Sequence, residues 1–251
     1  KEVFIPMDWV IGGQEGVGQG WRMLMNCLAA GRAISLPATS VGAAKLAART
    51  SGAYGRVRTQ FKTPIGYFEG VEEALARIAG NTYMMDAARV MTAGAVDLGE
   101  KPSVVSAIVK YHLTERGRQA VNDAMDVHGG KGICIGPRNY LGRTYQQIPV
   151  SITVEGANIL TRNMIIFGQG AIRCHPFLLK EVNAAHDQDK DRASLAFDEA
   201  LVGHVKFSLR NTFNSVFYAL FGVYLKDNAP ENCHPETTVY YRQLARFSAS
   251  F

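Results

Sequence analysis

The stretch FEGVEEALARIAGNTYMMDAARVMTAGAV, residues 68–96, decides the fold. Its apolar residues recur at the spacing of one face of a helix: Val71, Leu75, Ile78 and Met85. The segment Gly99–Pro102 then combines a helix-breaking glycine with a proline suited to the first turn of a new helix. We therefore predict a long helix over 68–96, followed by a turn and another helix.

Helical patterns also flank this stretch on both sides. We predict a helix from Trp21 to about Arg58, and a third long helix that ends at Gly129-Gly130. A brief helix is expected over 140–147 and a further one from Glu155. The apolar residues of that last helix are expected to face the core: Ile159, Leu160, Met164, Ile166 and Phe167. Because long helices joined by short turns pack side by side, the sequence predicts an all-α, up-and-down four-helix bundle with additional C-terminal helices.

The pattern divides the chain into three parts. Residues 1–17 contain a predicted strand, Lys1–Pro6, and a glycine-rich loop, which we assign to the end of a preceding β-domain and a linker. Residues 18–175 form the predicted bundle. Residues 176–251 are expected to begin an additional helical region.

That C-terminal region has a polar part and an apolar part. Residues 185–194 are polar and charged, and they are predicted to form a linker or an exposed loop. Residues 195–225 are predicted to form an apolar helix, in which 216–225 is expected to be a buried face.

Charge and cysteine content exclude several classes of protein. The net charge of +5 comes from basic residues spread along the chain, so we expect no nucleic-acid partner. The four cysteines match no zinc pattern, and we expect free thiols and no metal site. No apolar run reaches the roughly 18 residues that a bilayer span needs. We expect a cytoplasmic protein, with peripheral contact to the inner membrane as the alternative.

Three short motifs are candidates for chemistry. They are YGRVRTQFKTPI at 54–65, HGGKG at 128–132 and TVEGAN at 153–158. Each alone has an ordinary structural interpretation: a basic helix end, a glycine helix stop, and a carboxylate in a first helical turn. Their occurrence together and in this order favours a functional interpretation.

Together these motifs resemble the C-terminal domain of the acyl-CoA dehydrogenases. The family's YxxxRxQFGxPI signature is met at Tyr54, Arg58, Gln60, Phe61, Pro64 and Ile65. Its next helix, glycine stop and Glu-Gly motif follow at compatible spacing, so that the resemblance covers roughly residues 1–175. The region from His175 resembles the extra helical region of the large bacterial fatty-acyl-CoA dehydrogenases.

The resemblance implies a role for each matched residue. Glu155 is the implied base that removes the α-proton of the substrate. Contacts with the cofactor FAD are implied for Arg58, Gln60, Phe61, Gly129 and Gly130. Contacts with the substrate are implied for Arg32, Val154 and Gly156.

The implied activity is the FAD-dependent oxidation of a fatty acyl-CoA to the trans-2-enoyl-CoA, the first step of fatty acid β-oxidation. The implied partners are the fatty acyl-CoA, further copies of the chain in a homo-oligomer, and an electron-accepting flavoprotein or quinone system. An acyl-CoA oxidase, which uses the same base and flavin, is one alternative. A non-catalytic helical assembly or docking module is the other. Departures from the family pattern favour that module: Lys62, Glu72, Asp126 and Ala157.

The resemblance also implies that this chain is part of a longer enzyme and is inactive by itself. In the family, N-terminal helical and β domains supply most of the flavin and CoA pocket. We therefore expect the purified 251-residue chain to bind FAD weakly or not at all and to show no turnover. Flavin absorbance of the purified chain measures this, and stoichiometric flavin would contradict it.

Overall fold

The computed structural model describes residues 2–100, 103–221 and 229–250, and its elements are almost all helical. The predicted all-α fold is confirmed. Two compact units divide the chain, Lys1–Gly170 and Ala171–Phe251. The predicted position of Pro102 in a first helical turn lies outside the described residues, as do residues 222–225 of the predicted apolar helix.

Three long helices build the first unit: α1 (Gly20–Val57), α2 (Glu69–Asp97) and α3 (Ser103–His128). The one-turn helix α4 (Gly130–Ile133) follows α3, and α5 (Gly142–Thr153) packs against α3 and α1. The bounds of α1, α2 and α3 agree closely with the three long helices predicted from the sequence.

Side-chain contacts show the direction of each long helix. Arg77, in the first half of α2, binds Asp123 near the end of α3, so these two helices are antiparallel. Tyr54, near the end of α1, stacks on His128 at the end of α3, with ring centroids 4.4 Å apart. Helices α1 and α3 are therefore parallel and lie side by side, as an up-and-down order requires.

Small and mid-sized apolar side chains fill the space between these helices. Two clusters of buried residues form the core: Val41, Ala44, Met85, Val109, Leu113 and Ala120, and then Ala47, Ile78, Val121, Ala124 and Leu141. Helix α3 has a glycine where it meets α1, because a Cβ on Gly117 would lie 3.1 Å from the Cβ of Ser40. Small residues at this contact therefore set the spacing of α1 and α3.

A two-residue β-hairpin connects α1 to α2, where the sequence predicted only a turn. Strand β1 (Thr59–Gln60) pairs antiparallel with β2 (Thr63–Pro64). The connecting residues Phe61 and Lys62 both have left-handed backbones, with φ of 51° and 65°. Lys62 stands where the resembled family has Gly, and the positive φ gives the physical reason for that preference.

Three predictions of local structure are wrong: one strand does not form, and two helices have other bounds. Residues 2–6 form no strand, and a 3₁₀ turn, Met7–Trp9, follows them. The brief helix predicted over 140–147 is α5, which continues through Pro149 to Thr153. The helix predicted from Glu155 begins only at Asn158.

The helix after Glu155 has an uncommon winding. It starts as α6 (Asn158–Leu160), continues as a π-helix over Thr161–Gln169, and is followed by α7 (Gly170–Cys174). The prediction that its apolar residues face the core is wrong for four side chains that are 44–76% exposed: Ile159, Leu160, Met164 and Phe167. For Met164 and Phe167 the reason is that a π-helix closes its hydrogen bonds over five residues, so its inward face departs from the 3.6-residue period on which that prediction rested.

The second unit contains α8 (Leu178–Ala185), α9 (Lys190–Phe221) and α10 (Thr238–Ser250). Because α9 begins at Lys190, the predicted loop over 185–194 is shorter than expected. His204 of α9 lies 2.7 Å from the Glu181 carboxylate of α8 and joins the two helices.

The predicted buried face of the apolar helix is also wrong within the described residues. Side chains along the last turns of α9 are 54–71% exposed: Val216, Leu220 and Phe221. Tyr218 is buried in the same segment, so the described part of the chain covers only one side of α9 there. No helix among residues 2–100, 103–221 and 229–250 is long and apolar enough to cross a bilayer.

We predict that Ile78→Ala lowers the free energy of unfolding by about 2–5 kcal/mol, because Ile78 is fully buried and its removal leaves a cavity between α1, α2 and α3. Urea denaturation followed by circular dichroism measures the change. Val90→Ala is the control in the same helix: Val90 is 56% exposed, and we expect a change within about 0.5 kcal/mol. Equal effects of the two variants would contradict this assignment of the core.

Candidate active site

A tight turn between α5 and α6 carries Glu155. Helix α5 ends at Thr153, and the backbone then passes through two left-handed residues, Glu155 at φ 54° and Gly156 at φ 84°. Glycine adopts this conformation freely, but for glutamate it costs about 1–3 kcal/mol, and it persists only where surrounding contacts hold it. The turn therefore depends on the groups that bind its carbonyl oxygens.

The first such group is the ammonium of Lys110, which α3 places beneath the turn. Lys110 is fully buried. Its Nζ donates to the carbonyl oxygen of Gly156 at 2.8 Å, to that of Ile152 at 3.3 Å, and to Oδ1 of Asn158 at 2.6 Å. One cation thus joins the last turn of α5, the Glu155 turn and the start of α6.

Asn158 and two threonines complete this buried network. Asn158 donates from Nδ2 to the Thr114 hydroxyl at 3.0 Å and to the Glu115 carboxylate at 2.8 Å. Thr161 donates to the carbonyl oxygen of Gly156 at 3.0 Å, so that this oxygen accepts two hydrogen bonds. The amide of Asn158 therefore has partners on both its oxygen and its nitrogen, as a buried polar group requires.

The second cation at the turn is Arg32 of α1, which is 6% exposed. Its Nε donates to the carbonyl oxygen of Glu155 at 3.1 Å. Burial lowers the pKa of Arg32, and the nearby negative charge of Glu155 partly opposes this. Burial also lowers the pKa of Lys110 to about 8; Arg32 adds to this lowering, while Glu155 and Glu115 oppose it.

The carboxylate of Glu155 has a buried oxygen without a partner among the described residues. Its Oε2 is buried and accepts no hydrogen bond from any described residue. The backbone N–H of Glu155 also donates to no described residue. This one residue therefore presents a free proton acceptor and a free hydrogen-bond donor, the two groups that proton abstraction beside a carbonyl requires.

A second set of the sequence-predicted residues meets at the other end of α1 and α3. Arg58, Gln60 and Phe61 follow α1 and are exposed, Phe61 to 90%. Gly129 and Gly130 follow α3, and the stacking of the residues that precede them brings the two chain segments side by side.

Aromatic side chains at this end stack on one another and also contact a lysine ammonium. His128 is buried; its Nδ1 donates to the carbonyl oxygen of Ala124 at 2.8 Å, and its Nε2 accepts from the Tyr140 hydroxyl at 2.7 Å. The Lys131 ammonium lies 5.2 Å from the centre of the Tyr54 ring and 5.0 Å from that of Tyr140. Burial, together with the nearby Lys131 ammonium, lowers the pKa of this imidazole and so favours its neutral form.

The residues at this end fit the phosphate part of a dinucleotide. Gly129 has φ of 54°, and a Cβ on Gly129 or Gly130 would meet nothing within 4 Å, so backbone is open to close approach. Lys131, which directly follows Gly130 and contacts the Tyr54 ring, supplies positive charge here, and the exposed Arg58 and Lys62 follow α1 at the same end. These residues are suited to a pyrophosphate, and the exposed Phe61 ring to a flat apolar group.

The two sets of residues lie far apart. At a rise of about 1.5 Å per residue, Arg32 and Arg58 are about 39 Å apart along α1, and Lys110 and His128 about 27 Å apart along α3. The structure thus brings Arg32, Glu155 and Gly156 together with Val154, which is 41% exposed, but it separates them from the Arg58 set.

Sequence reasoning missed the residues that hold the turn. Lys110, Thr114, Asn158 and Thr161 were not among the predicted site residues. A signal was present for the first: Lys110 occupies a helix position flanked at i−3 and i+3 by Ala107 and Leu113, which are both buried. A lysine at such an inward position indicates a buried role for its charge.

No group of His, Cys, Asp and Glu residues in the described part of the chain is arranged to hold a metal ion. The four cysteines are free thiols.

Comparison with protein families gives two matches. The family model described as the acyl-CoA dehydrogenase C-terminal domain matches residues 18–168. A model described as the bacterial-type C-terminal region of acyl-CoA dehydrogenases matches residues 172–251.

Individual proteins are similar over parts of the chain. A probable acyl-CoA dehydrogenase from Bacillus subtilis is 27% identical over 181 residues, which cover 64% of this chain and 29% of that protein. Protein HemX from Proteus mirabilis is 55% identical over 53 residues, 21% of this chain and 31% of that protein. The chain thus spans about a third of the length of these curated relatives.

Among solved structures, a glutaryl-coenzyme A dehydrogenase in complex with glutaryl-CoA is similar in fold. It is 27% identical, with a TM-score of 0.55, and the match covers 62% of this chain and 39% of the other.

We predict a pH-dependent contribution of His128 to stability. Burial lowers its pKa below 6.5, so the unfolded chain takes up a proton that the folded chain resists. The contribution is therefore fully present above pH 6.5 and is lost as the pH falls below that value. The loss is about 1.4 kcal/mol for each pH unit by which the pKa of His128 in the folded chain lies below 6.5. Urea denaturation at pH 7.5 and pH 5 measures it.

His128→Phe is the reference variant for this prediction, because phenylalanine keeps the stack on Tyr54 and cannot titrate. We expect the difference in unfolding free energy between wild type and variant to shrink at pH 5. A difference that is equal at both pH values would show that His128 does not titrate as described.

Proposed function

Because this chain belongs to the acyl-CoA dehydrogenase family, we propose that it supplies the catalytic base for oxidising a fatty acyl-CoA to the trans-2-enoyl-CoA. The observation that carries the proposal is the Glu155 turn. A carboxylate oxygen without a partner is held on a left-handed backbone whose carbonyl oxygens are bound by two buried cations.

Glu155 performs the proton transfer in this proposal. Its Oε2 accepts the proton from the substrate Cα as the double bond forms between Cα and Cβ. The backbone N–H of Glu155 donates to the thioester oxygen and stabilises the negative charge that develops there. Family members are FAD flavoproteins, and bound FAD supplies the acceptor for the hydride that leaves Cβ.

The positions of the Arg58 set support a homo-oligomer. A separation of about 39 Å along α1 is too long for one dinucleotide to contact both Arg32 and Arg58. We propose that Arg58, Gln60, Phe61, Gly129 and Gly130 contact the FAD of a neighbouring copy, while Glu155 acts on the substrate next to its own.

The proposal also includes a substrate class and an electron acceptor. The match of residues 172–251 to a bacterial-type C-terminal region supports a place among the large bacterial fatty-acyl-CoA dehydrogenases. We accordingly propose a fatty acyl-CoA substrate and an electron-accepting flavoprotein or quinone system. Acyl-CoA oxidase activity, with the same base, is distinguished by the hydrogen peroxide that it produces.

The test is anaerobic addition of butyryl-, octanoyl- and palmitoyl-CoA to the full-length protein, with flavin absorbance followed by stopped flow. We expect wild type to bleach. Glu155→Gln keeps the side-chain shape but removes the base, so we expect its bleaching rate to fall by at least about 100-fold. Bleaching of Glu155→Gln at the wild-type rate would exclude Glu155 as the base, and no bleaching of wild type with any of the three would contradict the proposed reaction.

A further inference from the structure

We propose that Lys110 is a positioning residue for Glu155: its ammonium holds the left-handed turn so that the carboxylate faces the substrate. This inference rests on the proposed function. Lys110 touches neither the Glu155 carboxylate nor the reacting atoms in the arrangement described, and it acts through the backbone of the turn.

The partners of Lys110 are the first argument. A buried cation is usually paired with a carboxylate, because burial without a partner is costly. The three atoms that accept from the Lys110 ammonium are instead two carbonyl oxygens and one amide oxygen, and all three belong to residues 152–158. All three hydrogen bonds of the Lys110 ammonium are therefore made to one segment, residues 152–158, which contains Glu155.

The backbone conformation is the second argument. Glu155 is left-handed although it is not glycine, so the turn needs contacts that prevent it from relaxing. The carbonyl oxygen of Glu155 is held by Arg32, and that of Gly156 by Lys110 and Thr161. The peptide units on the C-terminal side of the base are thus fixed from α1, α3 and the π-helical segment.

Helix α3 fixes the position of Lys110 relative to the turn that it binds. Lys110 lies one turn before Thr114, whose hydroxyl donates back to the Lys110 carbonyl oxygen at 2.8 Å and accepts from Asn158 at 3.0 Å. The lysine and the turn that it binds are therefore tied to the same two turns of α3. A methionine of similar length would fill the space without donating a hydrogen bond, and the turn would lose the donor that joins its two ends.

The experiment compares Lys110→Met and Lys110→Gln with wild type in the full-length protein. Stopped-flow bleaching at increasing concentrations of the best of butyryl-, octanoyl- and palmitoyl-CoA separates the limiting rate from the apparent dissociation constant. For Lys110→Met we expect the limiting rate to fall by about 100-fold, as for a misplaced catalytic group, with the dissociation constant within about threefold. Lys110→Gln keeps one neutral donor, and we expect it to recover part of the rate.

Two further measurements separate positioning from a general loss of structure. Flavin content and thermal midpoint are expected to stay near the wild-type values, while hydrogen exchange of the amides of 154–157 becomes faster in Lys110→Met. Lys45→Met is the matched control. It removes a lysine from the same bundle, where Lys45 is half exposed and pairs with Asp86 at 2.7 Å, and we expect the wild-type rate.

Each remaining outcome decides against one proposal or the other. A wild-type enzyme that bleaches, together with a Lys110→Met variant that bleaches equally fast, overturns the positioning role and leaves the proposed function intact. Loss of flavin or of folding in both Lys110 variants also overturns it, because the lysine would then serve stability alone. A wild-type enzyme that no acyl-CoA bleaches contradicts the proposed function before Lys110 is tested.

Discussion

The close parallel contact of α1 with α3 is the constraint on which the rest of the first unit depends. Gly117 and Ser40 allow the two helices to approach, and alanines such as Ala44 and Ala120 keep the space between them narrow. Because the helices are parallel, residues at corresponding heights become neighbours. Arg32 and Lys110 then reach the same turn at one end, and Tyr54 and His128 stack at the other.

The Glu155 turn has a conformation that lowers the stability of the fold but fixes the direction of the carboxylate. An ordinary helix start would have given Glu155 a right-handed backbone and intrahelical hydrogen bonds. The structure instead places it in a conformation that glutamate disfavours, beside two buried cations, and each of these features costs folding free energy. Such costs are typical of functional sites, because the group must point in one direction before the substrate arrives.

Much of the fold follows from local sequence rules, and the failures have physical causes. Helix α1 was predictable from its alanine-rich composition, and α2 and α3 from apolar residues at helical spacing and from the glycines that follow them, Gly99 and Gly129. Met164 and Phe167 were misplaced because the period itself changes in the π-helix over Thr161–Gln169. Residues 2–6 carry the β-branched and aromatic residues of a strand, yet a strand also needs a partner, which sequence rules for one segment do not supply.

The candidate site was predictable in part. Glu155 and Arg32 were identified from a resemblance, and the structure brings them together. The role of Lys110 in the turn was not predicted, because its partners include backbone carbonyl oxygens more than 40 residues away. Every residue has a carbonyl oxygen, so the sequence does not indicate which of them will accept a hydrogen bond. The separation of Arg58 from Arg32 follows from helix length alone and needed only a count of residues.

The π-helical segment constrains which changes of length the chain can accept. Each residue of an α-helix turns the next by about 100°, so removing one residue from an ordinary α-helix would rotate the rest of that helix by that angle. The wide turns hold an extra residue that normal winding has no room for. A natural variant one residue shorter within Thr161–Gln169 would therefore be expected to wind as an ordinary α-helix and to keep the register of the residues that follow in the same helix.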